Sequence, residues 1–191
     1  GDGTNSWIDA LAVWNDSLFV GGNFTMAGGL PAAGLARWHA GQWSTLGSGT
    51  DGEVMALRVW NGSLFAGGNF QYAGGAPVTY CARWSNGAWN AMPYMNNVIR
   101  TFTEYQGDLI AGGEFSSANY TLMRHLARWN GTSWSAIGGG VDDIFETGRV
   151  TALTAWNGNL YVVGWFSEAG GTPVKNVACW NGSAWSALAG G

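Results

Sequence analysis

The side chains that could do chemistry are few in this chain, and they do not fall into a catalytic pattern. The two histidines, His39 and His125, stand in unrelated sequence settings. No Ser/His/Asp or Cys/His set is spaced as an activated nucleophile and its base. Cys81 and Cys179 are too few for a disulfide scaffold or a zinc site. Acids are the more suggestive group: Asp2, Asp51, Glu53, Asp142, Asp143 and Glu146 all fall between apolar segments. Several carboxylates together would suit a hard cation such as calcium. No D-x-D-x-D-G loop gathers them, however, and a solvated acidic rim is the plainer reading. The expectation is no catalytic residue, no metal, no cofactor and no enzyme activity.

A second set of candidates is aromatic. Trp7, Tyr94, Phe145 and Trp165 lie where neighbouring copies of the pattern described below carry no aromatic ring. Each is either a platform for a ligand or a filler of a gap between structural elements. Six N-x-S/T sequons, at Asn15, Asn23, Asn61, Asn119, Asn130 and Asn181, are glycan acceptors if the protein is secreted by a eukaryote. Four of them sit in turn-like stretches, where Asn is favoured for its own reasons.

What must position these residues is a repeat. "WNDSLFVGGNF" from Trp14 returns as "WNGSLFAGGNF" from Trp60, "YQGDLIAGGEF" from Tyr105 and "WNGNLYVVGWF" from Trp156, at steps of 46, 45 and 51. Trp38, Trp84, Trp129 and Trp180 keep those steps, as do Trp43, Trp89, Trp134 and Trp185. A period of 40–50 residues marks a propeller or a similar array. In unit 2 the strands read as 54–60 (A), 63–68 (B), 81–84 (C) and 88–92 (D), with Asn61-Gly62 as a tight hairpin turn. Four such units predict an all-β fold, a β-propeller of four-stranded antiparallel blades. Residues 1–191 form one propeller domain or segment, with blades at about 7–49, 53–93, 98–140 and 149–189. The repeated Trp reads as glue between blades, with sugar stacking as the alternative.

The apolar run ending in Gly-Gly, then an aromatic, then Trp pairs such as Trp38 and Trp43, resembles the kelch repeat of large secreted or surface proteins. Gly21-Gly22, Gly67-Gly68 and Gly112-Gly113 fit it, whereas Val163-Gly164 departs. The resemblance implies the fold and little about activity. The kelch-type propeller of galactose oxidase carries copper on paired His and Tyr with a Cys crosslink, and no such set is present here.

In this fold the A–B and C–D turns share one face and the longer B–C and D–A loops share the other. Binding is expected on the loop face, at Trp7, Asp51, Glu53, Tyr94, Asp142, Asp143, Phe145 and Trp165. Asp9, Met55, Arg100 and Thr151 are equivalent near the start of strand A and share no chemistry, which argues against a symmetric metal ring. Arg37, Arg83 and Arg128 recur on strand C as stems packed between blades. Cys81 and Cys179 fall in blades 2 and 4 and are expected to be unbonded.

Net charge is −4, with no basic stripe, which disfavours nucleic acid. No apolar run reaches the length of a membrane-spanning helix, so no membrane insertion is expected. The expected function is a non-enzymatic structural or adhesive module, extracellular or at the cell surface. Its partner would be a protein or glycan there, or it would self-assemble, as part of a larger protein or fibre. A carbohydrate-binding propeller is the alternative. The outer faces of blades 1 and 4 are expected to be buried, against each other or against blades outside this segment.

Overall fold

The computed structural model describes residues 2–143 and 147–188. The chain divides into two compact units, Gly1–Tyr94 and Met95–Gly191. Each holds two four-stranded antiparallel sheets, here called blades, with strands in sequence order A, B, C, D. Blade 1 runs Ile8–Trp14, Ser17–Gly22, Leu35–His39 and Gln42–Thr45. Blade 2 runs Glu53–Trp60, Ser63–Asn69, Cys81–Ser85 and Ala88–Ala91. Blade 3 runs Ile99–Tyr105, Asp108–Gly113, Leu126–Trp129 and Trp134–Ala136. Blade 4 runs Arg149–Trp156, Asn159–Trp165, Val177–Trp180 and Trp185–Ser186.

Local chemistry fixes the hairpins. Asn61 (φ 43°) and Gly62 (φ 66°) both take the left-handed conformation that a two-residue type I′ turn needs. The B–C connections are more ordered than open loops. Each contains a two-residue ribbon, such as Met26–Ala27 with Leu30–Pro31 or Tyr72–Ala73 with Ala76–Pro77. The repeated Ala-Gly-Gly is the turn of that ribbon.

Strand A carries a bulge at the same point in every blade, between Ile8 and Ala10, Val54 and Ala56, Ile99 and Thr101, and Val150 and Ala152. The extra residue is Asp9, Met55, Arg100 or Thr151. These are the four positions that share no chemistry, and a bulge explains why: its residue leaves the ladder and is re-aimed.

Alternation along the strands gives each blade two apolar faces. In the first unit the trailing face of blade 1 (Ala10, Phe19, Leu35 and Leu46, with Ala12 and Trp14) packs against the leading face of blade 2 (Val54, Leu57, Leu64, Ala66, Ala82 and Trp89). In the second unit Tyr105, Ile110, Leu126 and Ile137 of blade 3 meet Val150, Leu153, Leu160, Val162 and Trp185 of blade 4 in the same way. Two contacts recur. The indole N–H of Trp89 donates to the Leu46 carbonyl (3.1 Å), and that of Trp185 donates to the Gly138 carbonyl (2.9 Å).

The strand-B glycines serve close approach and not positive φ. A Cβ on Gly21 would lie 2.6 Å from Val54 Cγ1, and one on Gly112 would lie 2.5 Å from Val150 Cγ1. Neither glycine is among those with positive φ. Cys81 is fully buried where other blades carry Leu35 and Leu126, and burial pushes its thiol pKa far up. Both cysteines are free thiols.

On the leading face of blade 1, Leu11 and Val13 are 60% and 74% exposed. On blade 4, Trp156 is 67% exposed, and Val163 and Leu188 are also open to solvent.

Candidate functional site

Among the candidate loop-face acids, Asp51, Asp142 and Asp143 have structural partners. Asp51 accepts the backbone N–H groups of Gln71 and Tyr72, both at 2.8 Å, and so pins the incoming loop to the ribbon of blade 2. Asn5 does the same with Thr25 and Met26, and Asn96 with Ser116 and Ser117. Asp51 is thus one member of a repeated carboxamide or carboxylate pin. Glu53 opens strand A of blade 2 opposite Asn69 and is half-buried. Asp2 is exposed.

Blade 4 breaks the pin. Asp142 occupies the equivalent place, because Val141 pairs with Ala169 just as Thr50 pairs with Ala73. Its carboxylate turns elsewhere. It is buried, it accepts the Asp143 N–H (2.9 Å), and its Oδ1 lies 3.6 Å from Nε2 of His125. Arg124 approaches its other oxygen at 3.9 Å and Glu168 at 3.5 Å. Asp143 in turn accepts both the N–H and the hydroxyl of Thr147, each at 2.8 Å.

His125 is the centre of this region. It is only 4% exposed, and its Nδ1 has no partner of ordinary hydrogen-bond geometry. Burial lowers its pKa, and the nearby Asp142 carboxylate opposes that shift. Its backbone is left-handed (φ 68°), and Arg124 before it is also left-handed (φ 49°). Blade 1 places Gly34 (φ 69°) at the same point, so the conformation belongs to the repeat and blade 3 meets it with a histidine.

Beside His125 is a polar cleft of about 260 Å³ lined also by Asn97, Glu114, Thr147, Gly148 and Arg149. Glu114 is bound by the bulge residue Arg100, whose Nε donates at 2.8 Å. Arg149 stacks its guanidinium 5.0 Å from the Trp165 ring. The structure therefore brings Asp142, Asp143 and Trp165 into one neighbourhood of the second unit. The signals for Arg100 and Glu114 were visible singly, as departures from Asp9 and Met55 and from Asn23 and Asn69. Only the bulge joins them. Phe145 and Glu146 lie outside the described residues.

The Thr147 hydroxyl donates to Asp143 and is not aimed at His125. His39 ends strand C of blade 1, and its Nδ1 lies 3.0 Å from the Asp16 carbonyl and 3.2 Å from the Ser17 hydroxyl. Among the described residues no three His, Cys, Asp or Glu side chains are placed to hold a metal ion. In the first unit Trp7 is 73% exposed and makes its link through its carbonyl, which accepts the Asn23 N–H (3.0 Å). Tyr94 is 40% exposed. All six sequon asparagines are exposed. Asn130 and Asn181 use their Oδ1 atoms to accept the backbone N–H groups of their own turns.

Repeated four-stranded antiparallel blades joined by tight hairpins and packed face to face define a β-propeller domain. The chain belongs to the Rax2 C-terminal beta propeller domain family, whose model matches residues 2–189. No curated protein matches it. Among solved structures it is similar to the computationally designed Ika8 protein (16% identity, TM-score 0.52, covering 96% of this chain and 48% of that one). It is similar also to the designed Ika4 protein (18%, 0.51, covering 93% and 92%). A third is the GH74 xyloglucanase of Xanthomonas campestris (13%, 0.59, covering 100% and 31%). The chain spans about half the length of the first and less than a third of the xyloglucanase. At these identities the likeness is one of fold.

Proposed function

We propose that the chain is a non-enzymatic structural or adhesive module with kelch-like repeats, acting outside the cell or at its surface by assembling through its blade faces. The observation that carries this reading is the pair of exposed apolar sheet faces, Leu11 and Val13 on blade 1 and Trp156 on blade 4. Uncovered apolar area of this kind marks an interaction surface. Membership in a cell-surface-associated family supports the location, and six exposed sequons fit a glycoprotein. The test uses Lys175, the single lysine, which is exposed. A membrane-impermeant amine reagent applied to intact cells making the full protein labels Lys175 if the module faces outward. Labelling that requires permeabilised cells sinks the surface assignment.

A carbohydrate-binding reading has one observation in its favour, a cleft of about 740 Å³ bordered by Trp38 and Trp43. Glycan-array binding that is lost in Trp38→Ala would establish it over the structural reading.

A further inference from the structure

The strand C arginine has different company in the two units. In blade 3, Arg128 is ion-paired, its Nε donating to the Asp108 carboxylate at the start of strand B. Blade 1 carries Arg37 at the same place, with Ser17 where Asp108 stands. Here Nε of Arg37 donates to the Ser17 hydroxyl (2.9 Å), which donates in turn to the Asn15 carbonyl (3.1 Å). Ser17 is 2% exposed. Among the described residues Arg37 has no carboxylate partner. A guanidinium offers five N–H donors in a fixed fork, and the Ser17 hydroxyl takes one of them.

Arg37 lines a cavity of about 220 Å³ at the junction of blades 1 and 2, inside the first unit. Trp14 and Trp84 supply its aromatic lining, and Ser17, Ser44 and Thr45 add hydroxyls. The corresponding place between blades 3 and 4 is furnished from within. Tyr105 replaces Trp14, and its hydroxyl donates to the Gly158 carbonyl (3.1 Å). The Gln106 amide donates to that same hydroxyl oxygen (3.1 Å). With Asp108 on Arg128, the polar groups of the second junction satisfy one another. The first junction keeps the arginine and the strand C indole but has neither the carboxylate nor the phenol. Blade 3 shows which group this arginine takes, and blade 1 does not supply it.

We propose that the cavity binds an acidic sugar, a uronate, with its carboxylate on Arg37 and its ring against Trp14 and Trp84. A ligand carboxylate would take the free end of the guanidinium fork through two parallel N–H bonds, the strong geometry for this pair. The rest of the lining selects the sugar. The C–H face of a pyranose is apolar and lies well on an indole, and its hydroxyls find partners in Ser44 and Thr45, both exposed. An aromatic pocket with a few convergent polar groups is the usual form of a small-molecule site. An acidic peptide side chain would use Arg37 and leave the indoles and hydroxyls idle. This inference goes beyond the structural reading above and does not rest on it. The cavity shares no lining residue with the cleft at Trp38 and Trp43.

The experiment titrates the whole chain, made in bacteria without glycans, with glucuronate, and follows the indole N–H signals of Trp14 and Trp84 by NMR. Saturable shifts of both are expected, with none from glucose at the same concentration. Ser17→Asp gives Arg37 the internal partner that Arg128 has, so binding should weaken at least tenfold in a chain that keeps its fold. Absence of glycans makes the loss of the Asn15 sequon in that variant immaterial. Should Ser17→Asp fail to fold, Arg37→Gln is read in its place, with the same tenfold loss expected. Trp38→Ala should leave the titration unchanged. The proposal is overturned if glucuronate gives no saturable shift, or if glucose or acetate shifts the same signals equally. Tighter binding of an acetylated, amidated glutamate would make the ligand a peptide and overturn it too. So would undiminished binding in folded Ser17→Asp, or binding that Trp38→Ala abolishes. None of these results bears on the labelling of Lys175, so failure of this site and failure of the surface assignment are told apart.

Discussion

Blades 1 and 2 present the same face with different fates. Leu57 is 8% exposed and Leu11 60%; Trp89 is buried with its N–H bonded, while Trp43 is half-exposed beside a cleft. The strands, registers and residue types match, so the difference lies only in what covers them. Exposure of these side chains therefore follows the neighbouring sheet and not their own sequence. Burial of such a face contributes on the order of 25 cal/mol per Å² of apolar area, which blade 2 realises and blade 1 does not.

The most severe test of that contrast is truncation of the covered ring. Trp89→Ala should cost about 3–5 kcal/mol in urea unfolding of the chain. Trp43→Ala should cost markedly less. Leu57→Ala and Leu11→Ala should split the same way, about 2–5 kcal/mol against roughly 0.5. Equal losses at the paired positions would mean that exposure does not measure how far these faces are engaged.

A smaller effect sharpens the glycine argument. Gly112→Val drives a side chain into Val150 and should cost about 1–3 kcal/mol by overpacking. Val163→Gly, at the equivalent position of blade 4, should cost only roughly 0.5–1 kcal/mol, the intrinsic price of glycine in a strand. The check is the pair of unfolding midpoints. A mild Gly112→Val would show that the junction yields easily.

The smallest effect concerns the polar neighbourhood that blade 4 has in place of a pin. His125 has its pKa lowered in the folded state, chiefly by burial. Below its ordinary pKa the unfolded chain therefore binds the proton more readily, and stability falls as pH drops through the folded pKa. His125→Asn keeps a residue that tolerates the left-handed backbone and removes the titration. The melting temperature of the native chain should fall more between pH 8 and pH 5 than that of the variant. Parallel curves would remove His125 from the account.

Much of this architecture was legible from the tryptophans, because an aromatic pair on strands C and D recurs at fixed steps and only a repeated sheet explains it. The glycines of the Ala-Gly-Gly triplets could not be read as junction pieces, since the backbone that approaches them belongs to the segment leaving a different blade. Asp51 read as a free acid because its partners, the N–H groups of Gln71 and Tyr72, are main-chain groups twenty residues away that sequence does not display. The cleft residues Arg100 and Glu114 were hidden for a related reason. Each departs from the repeat alone, and a bulge brings them together. Val163 was visible as a departure from Gly-Gly, but its meaning depended on Val54 and Val150 lying against the equivalent glycines.

The tryptophan pairs also give the molecule an optical signature. In every blade the strand C and strand D indoles face each other across the ladder, with centroids 5.1, 5.3, 5.2 and 5.2 Å apart and ring planes inclined by 49–61°. Chromophores this close and this skewed share their excited states, so each blade should produce an exciton couplet in far-ultraviolet circular dichroism. That signal depends on C–D pairing inside a blade and not on contact between blades. Loss of the couplet would mark a blade coming apart, and a change in indole emission with the couplet intact would mark blades parting as whole sheets.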